Sequence, residues 1–269
     1  MGYVFDFNDA RAYVQWLDQP RHQWAAALEC GLIAGLLQPA EGETVLDIGC
    51  GAGGGTKALL DMGLNVTGID PSPYMLDRCL ERVGHHVDLY RGFAEDLPFD
   101  DNAFNHAVFY LSLEFVEDPR KAIEEACRVA KDRVFFGFLN RFALKGAQRW
   151  RTGFCSMEVF RQARLFSVWE MKSLVRSLAG PVPVTWRTVC QMPHAPAKVA
   201  RSIEGSDLVQ RCPFGSFAGM VTTLLPRFRT RPLAMRYRPE KALAVMPNSA
   251  PVGSSVMGPG SGGRDMQGR

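Results

Sequence analysis

Three glycines and two aspartates are the residues of this 269-residue chain most able to do chemistry by spacing. Gly49, Gly51 and Gly54 stand at G-x-G-x-x-G within residues 45–59, VLDIGCGAGGGTKAL; Asp47 lies two residues before them and Asp70 twenty-one beyond Gly49. Glycines so placed after a strand let backbone approach a ligand closely. An acid about twenty residues on can accept both hydroxyls of a ribose. Read literally, the pattern is a dinucleotide fingerprint and the chemistry would be hydride transfer. Asp70 has a second reading, as a helix cap ahead of Pro71.

Asp47 points elsewhere. It falls inside the strand, where dinucleotide-binding strands carry an apolar residue, and a carboxylate there repels a pyrophosphate and attracts an ammonium or sulfonium. A ligand that joins a ribose to a cationic amino-acid end without phosphate is S-adenosylmethionine. The alternative for Asp47 is a buried carboxylate capping the neighbouring turn.

The elements that must position these residues follow from periodicity. Residues 44–48 read as a buried strand, 56–62 as a helix and 65–69 as a second strand. Pro71–Pro73 opens a helix whose inner face is Met75, Leu76, Cys79, Leu80 and Val83. Strands are expected at 86–90, 105–110, 133–139, 183–189 and 217–225. Helices start at Asp118-Pro119 and at Ser167, the latter with Glu170 three residues on at capping-box spacing. This alternation predicts an α/β, doubly wound parallel sheet with right-handed crossovers; the full expectation is a Rossmann-like seven-stranded sheet, mostly parallel with an antiparallel last strand and helices on both faces. Residues 1–40 form N-terminal cap helices, 41–226 the main domain with a partial cap at 140–166, and 227–269 a basic arm and disordered tail.

Composition narrows the function further. The seven cysteines are scattered without a C-x-x-C pair, which argues against metal or disulfide chemistry and for a reducing cytoplasm. No apolar run is long enough to span a membrane, and the amino terminus lacks an export pattern. Residues 227–269 hold eight Lys and Arg against two acids, so a net charge of +3 conceals a mildly acidic body. That body gives no footprint for nucleic acid. The basic stretch at 227–241 reads as a solvated arm.

Several segments together resemble class I S-adenosylmethionine-dependent methyltransferases. VLDIGCGAGGGT resembles their first motif, GID ending at Asp70 their second, and GFAEDLPFDDNAFNHAVF their third and fourth; VEDPRKAIEEACRV continues the likeness. It covers residues 43–139 and is nearest to the ubiquinone/menaquinone-biosynthesis-like group, whose acceptors are too varied to fix a substrate. The resemblance implies that Asp47 orients the methionine amine, that Gly49, Cys50 and Gly51 lie against the methionine and ribose, and that Asp70 holds the ribose diol. Pro71 and Met75 would flank the adenine, Phe93, Ala94 and Glu95 would meet its edge, and Tyr110 and Leu111 would line the methionine side. Two departures stand out: Phe93 replaces the Asp often found before Ala-Glu, and LEFV at 113–116 replaces LHHV, putting Glu114 where a histidine is common.

Residues 12–20, AYVQWLDQP, resemble a segment that precedes the core in some of these proteins. They imply a helix pair closing over the ligand, with Tyr13 and Trp16 either turned to the pocket or packing between helices. Methyl transfer from a sulfonium is an in-line displacement that positioning and desolvation accelerate, and a base is needed only for an acceptor of high pKa. Candidate catalytic groups are Glu114, Tyr110 and Asn140. Tyr13, Trp16, Glu114 and Asn140 are the candidates for contact with a small-molecule acceptor. His106, inside a strand, reads as packing, and His85-His86 as surface. The expected function is methyl transfer to an O, N, S or C atom of a small molecule. A catalytically silent S-adenosylmethionine-binding or scaffold protein and an NAD-dependent oxidoreductase are the alternatives.

Overall fold

The computed structural model describes residues 2–143, 162–191 and 203–224. Most of the expected partial cap at 140–166 and the whole arm and tail at 227–269 lie outside the described residues. Among those described, no helix is long and apolar enough to cross a membrane.

Seven β-branched and aromatic runs become one sheet: β1 (Thr44–Ile48), β2 (Asn65–Asp70), β3 (Asp88–Arg91), β4 (Phe104–Tyr110), β5 (Ala130–Leu139), β6 (Val184–Val189) and β7 (Phe217–Thr223). Their order is β3-β2-β1-β4-β5-β7-β6. β7 runs antiparallel to both neighbours, and the pairings among β1 to β5 are all parallel. This is the expected mostly parallel sheet with an antiparallel last strand. Strand order reverses beside β1, which pairs with β2 on one edge and β4 on the other, so a crevice opens beyond their carboxyl ends.

The helices are α1 (Phe7–Leu17), α2 (Pro20–Leu37), α3 (Gly54–Asp61), α4 (Pro73–Val83), α5 (Pro119–Val129), α6 (Val168–Ala179) and α7 (Asp207–Gln210). Side chains alternate across the sheet with period two. Leu46, Ile48, Phe109 and Phe136 join the core under α5 and α6. Val45, Val108 and Phe135 join the opposite core, with Ile33 and Leu37 of α2, Leu59 of α3 and Leu76 of α4. Asp47 shares the face of Val45, so its carboxylate points into that second layer.

Caps fix the helix starts. Ser72 accepts from the Met75 amide, Asp118 from the amides of Arg120 and Lys121, and Ser167 from the Glu170 amide. Only the hydroxyl half of the capping box at Ser167 is seen; the Glu170 carboxylate instead lies 3.3 Å from Arg141. Several boundaries differ from the sequence reading. The third strand begins at Asp88, not 86, because Gly84 (φ 69°) leads the chain into a single 3₁₀ turn, Gly84–His86. The fifth begins at Ala130, not 133, because α5 passes directly into it and Ala130 pairs with Phe104. Helix α3 begins at Gly54, two residues earlier than read, within the glycine run itself.

Candidate active site

The glycine turn is held by its own sequence. Gly49 and Cys50 donate their amides to the Ile69 carbonyl at 2.7 and 3.1 Å, and Gly51 donates to Asp70 Oδ2 at 2.9 Å. Gly49 is irreplaceable by space and by conformation: its φ is 73°, and a Cβ there would sit 2.4 Å from the Ser112 Cβ. Ser112 is delivered by Leu111, a non-glycine residue at φ 54° that swings the chain out of β4, and its hydroxyl donates to the Ile48 carbonyl at 2.6 Å. Turn and β4 end are thereby locked together, at the point where the strand order reverses.

A cavity of about 930 Å³, part of it open to solvent, lies over this turn. It is lined by Gly49, Cys50 and Gly51 from the turn, by Asp70, Pro71 and Met75 after β2, and by Phe93, Ala94 and Glu95 after β3. Tyr110 and Leu111 after β4 and Tyr13 of α1 complete the walls already singled out in the sequence. Phe93 is 42% exposed at the rim, and Glu95 Oε1 accepts from the amides of Glu117 and Asp118 at 2.8 and 3.3 Å. Glu95 thus ties its loop to the start of α5.

Sequence reasoning missed one wall altogether. Gly2, Tyr3, Val4 and Phe5 cross the cavity, pinned by the Tyr3 amide to the Phe115 carbonyl at 2.9 Å and by Ser72 Oγ to the Phe5 carbonyl at 2.6 Å. Phe5 packs edge-on against Phe115 and Tyr13, with centroids 5.1 and 6.1 Å apart. The available signal was the aromatic alternation just before the Asp6 cap of α1. Ser112, also missed, carries no motif of its own.

Asp47 does not line the cavity. It sits beneath the turn, 1% exposed, with Oδ2 accepting from Thr56 Oγ1 at 2.7 Å. Its Oδ1 finds no hydrogen-bond partner among the described residues. Burial pushes its pKa from 3.8 to about 7, against the opposing Thr56 hydrogen bond and with help from the neighbouring charge of Asp70. Asp70 is at the wall. Its Oδ1 accepts from the Ser72 amide at 2.9 Å, and burial lifts its pKa to about 6 despite the Ser72 and Gly51 amides. Two buried, under-compensated carboxylates make the site receptive to a cation.

The remaining candidates separate. Glu114 is buried and receives the Leu139 amide on Oε1 at 2.6 Å, and it does not line the cavity. Asn140 donates to the carbonyls of Pro213 and Gly215 at 2.7 and 2.8 Å and accepts from the Phe142 amide, so it too is spent on the frame. His106 is buried and meets Glu43 Oε2 at 2.8 Å, while His85 and His86 are exposed. Trp16 lines a second, smaller cavity with Tyr13, Tyr110 and Leu111, together with His22 and Glu29, which no motif marks.

A family model described as a methyltransferase domain matches residues 46–138. That segment, about a third of the chain, is similar to a methyltransferase domain. The chain is 39% identical over 95 residues to an uncharacterized methyltransferase of Mycobacterium tuberculosis, a stretch covering 35% of this chain and 38% of that protein. It is 36% identical over 95 residues to a demethylmenaquinone methyltransferase of Clavibacter sepedonicus, covering 35% of this chain and 39% of the relative. The match thus spans well under half the length of these curated relatives. The crystal structure of an S-adenosylmethionine-dependent methyltransferase from Thermotoga maritima shares the fold, with a TM-score of 0.60 at 23% identity over 81% of this chain and 96% of that one. The matched segment runs from β1 to β5; Tyr13, Trp16, His22 and Glu29 all precede it.

Proposed function

We propose that this protein transfers a methyl group from S-adenosylmethionine to a small-molecule acceptor. The observation that carries the reading is the pair of buried carboxylates, Asp47 under the glycine turn and Asp70 at its edge, both held above their ordinary pKa by burial. A pyrophosphate would meet two acids there, which speaks against a nicotinamide dinucleotide. A ligand with an ammonium and a sulfonium supplies the positive charge that the buried carboxylates lack.

The residues fit such a ligand. Gly49 and Gly51 give a backbone cradle that side chains would fill. Asp70 keeps lone pairs beyond those used by two amides, and these can take ribose hydroxyls. Pro71, Met75 and Phe93 offer apolar faces to a base, and the carboxylate of Asp47, beneath the turn, would act on the amine through its charge or through water. S-adenosylmethionine would bring an electrophilic methyl carbon; the chain's part is to bind, to orient and to exclude water, with the strap at residues 2–5 forming one wall.

The relatives' names do not carry the acceptor over. What they share with this chain is the β1–β5 half, and Tyr13 and Trp16, the acceptor candidates on α1, lie before it. A silent S-adenosylmethionine-binding protein is the second reading, favoured by Glu114 and Asn140 being consumed by backbone hydrogen bonds. Calorimetry of the protein with S-adenosylmethionine and with NAD, followed by a search for S-adenosylhomocysteine formed with a metabolite extract, tests the proposal. Binding of S-adenosylmethionine with turnover is the expected result. NAD binding alone would overturn the reading, and tight binding without turnover would favour the silent one.

A further inference from the structure

Helix α2 turns one face to the sheet, and a carboxylate stands in that face. Ala25, Leu32, Ile33 and Leu37 are buried at helical spacing, and Glu29 falls in line with them, 5% exposed. An apolar residue at this position would continue the face, whereas a buried carboxylate is costly unless it is hydrogen-bonded. Its Oε2 receives the Tyr110 hydroxyl at 2.6 Å, the length of a charge-assisted bond. Burial, with the Glu29 charge beside it, pushes the Tyr110 phenol well above 10, so the hydroxyl keeps its proton and donates.

Tyr110 is also a wall of the larger cavity, and it stands against the start of α3. Residues 53–56 each meet a different element there. A Cβ at Gly53 would lie 3.0 Å from Cys79 Sγ of α4, one at Gly54 3.5 Å from Leu17 Cδ2 of α1, and one at Gly55 3.0 Å from Tyr110 Cδ1 of β4. Thr56 donates to Asp47 of β1 at 2.7 Å. The glycine turn keeps its place by what packs on it. At Gly55 that neighbour is an aromatic ring free to rotate about its side-chain torsions, and the hydrogen bond to Glu29 fixes the ring's far end. Gly54 and Gly55 line the same cavity as Gly49 and Gly51, so a displaced ring changes the space a ligand meets.

We propose, building on the methyl-transfer reading above, that Glu29 is a positioning residue for the methyl donor. Through the Tyr110 hydroxyl it holds the Tyr110 ring on Gly55 and so sets the width of the cavity beside the glycine turn. Glu29 is not among the residues that line that cavity, and it acts through the ring. It lies before the segment matched by the family model, so a helix outside that segment completes the donor site.

The test is calorimetry of the full-length protein with S-adenosylmethionine and with S-adenosylhomocysteine, at a temperature where circular dichroism shows each variant folded. Glu29→Gln keeps an acceptor but loses the charge, and it should weaken both ligands about three- to tenfold. Glu29→Asp keeps the charge but withdraws the carboxylate by one methylene, and it should weaken them at least as much. Tyr110→Phe should have an effect of similar size. The double variant Glu29→Gln/Tyr110→Phe should lose no more than the larger single effect, because both changes break one link. Ala27→Lys, on the exposed face of α2, should bind both ligands as wild type does. Wild-type affinity in Glu29→Gln or Glu29→Asp, even with a less stable fold, would reduce Glu29 to a structural residue and overturn the proposal. So would losses that multiply in the double variant. A second readout needs no ligand: in ¹H–¹⁵N spectra the Gly54 and Gly55 amides should shift in Glu29→Gln and stay in place in Ala27→Lys. Unmoved amides in Glu29→Gln also overturn the proposal. If wild type binds neither ligand, the methyl-transfer reading fails, and these amides alone decide whether Glu29 reaches the turn. Should Tyr110→Phe not fold, the Gln and Asp variants and the amide shifts carry the test.

Discussion

Replacing Asp47 by Asn separates what this carboxylate costs the fold from what it contributes to binding. Its pKa rises from 3.8 to about 7 on folding, chiefly through burial. The folded chain therefore keeps a proton that the unfolded chain has lost. Stability from this group is complete below about pH 4 and drains away as pH climbs to about 7, at up to ~1.36 kcal/mol per unit. Three units amount to about 4 kcal/mol, an upper estimate for the cost of holding the bare carboxylate beneath the turn at pH 8. Asp47→Asn removes that cost. It introduces a buried amide N–H₂ where Oδ1 now has no partner, a penalty of about 1–3 kcal/mol that does not vary with pH.

The two stability curves should therefore cross. By urea unfolding, the variant is expected to be less stable than wild type by about 1–3 kcal/mol near pH 4 and more stable by a similar amount at pH 8, crossing between about pH 4.5 and 6. Asp70, raised to about 6, titrates in both proteins and cancels in the difference to first order. Binding should move the other way. A cationic ligand restores the carboxylate's charged form, so at pH 6 wild type should release close to one proton on binding S-adenosylmethionine, measurable by calorimetry in buffers of different ionisation enthalpy. The variant should release none through this site and bind at least tenfold more weakly at pH 8. Parallel stability curves between pH 5 and 8, or equal proton release from both proteins, would refute the reasoning.

Three further outcomes follow from the frame around the site. Arg128→Ala should cost about 3–5 kcal/mol in chemical denaturation, because Arg128 pairs with Glu125 at 2.9 Å and Asp101 at 3.0 Å and caps the carbonyls of Leu97 and Phe99; a loss below 1 kcal/mol would show the network to be dispensable. Gly49→Ala, at φ 73° and with Ser112 in the way, should lose at least about 2 kcal/mol and most ligand affinity, and wild-type binding by calorimetry would contradict the turn described above. Phe5→Ala removes three edge-on ring contacts, with Tyr3, Tyr13 and Phe115, worth about 0.5–1.5 kcal/mol each, and opens one wall, so S-adenosylmethionine dissociation in stopped flow should quicken several-fold; an unchanged rate would remove the strap from the site.

How far the sequence reached depends on what kind of signal each residue carries. The seven strands and the helix starts at Pro71–Pro73, Asp118 and Ser167 are written in short-range periodicity and caps, and these were readable; the strand order, a long-range property, was not. Most cavity walls ride on the same strand ends, so Asp70, Met75, Phe93 and Tyr110 could be assigned to one edge of the sheet. Other candidates meet competition for their side chains. Glu114 and Asn140 sit at that edge too, but backbone amides and carbonyls from the loops around β5 and β7 claim their side chains, a competition that no local pattern reveals. The motif reading has Asp47 orienting the methionine amine, and the period-two pleat turns its carboxylate to the α3 side, beneath the cavity, which the motif alone does not reveal. Glu29 belongs to a helix of eighteen residues with no motif, and only the chain's path across the sheet brings it to Tyr110, eighty-one residues away.

That separation bears on how the chain is assembled as an enzyme. Most walls of the larger cavity lie between β1 and the turn after β4, within the segment that matches the family model, and the strap at residues 2–5 and Tyr13 close it from outside that segment. The smaller cavity beside it draws seven of its nine lining residues from α1 and α2, before the matched region begins. α2 is also a structural helix: Ile33 and Leu37 share the core with Val45 and Phe135, so Glu29 is carried on an element anchored by the sheet itself. A carboxylate held at 2.6 Å from a β4 tyrosine by such a helix is preorganised rather than delivered by a loop. Because Tyr110 also lines the larger cavity and crowds Gly55 beside the glycine turn, Glu29→Gln should change ligand affinity there, read by calorimetry, while changes along the exposed face of α2 should not.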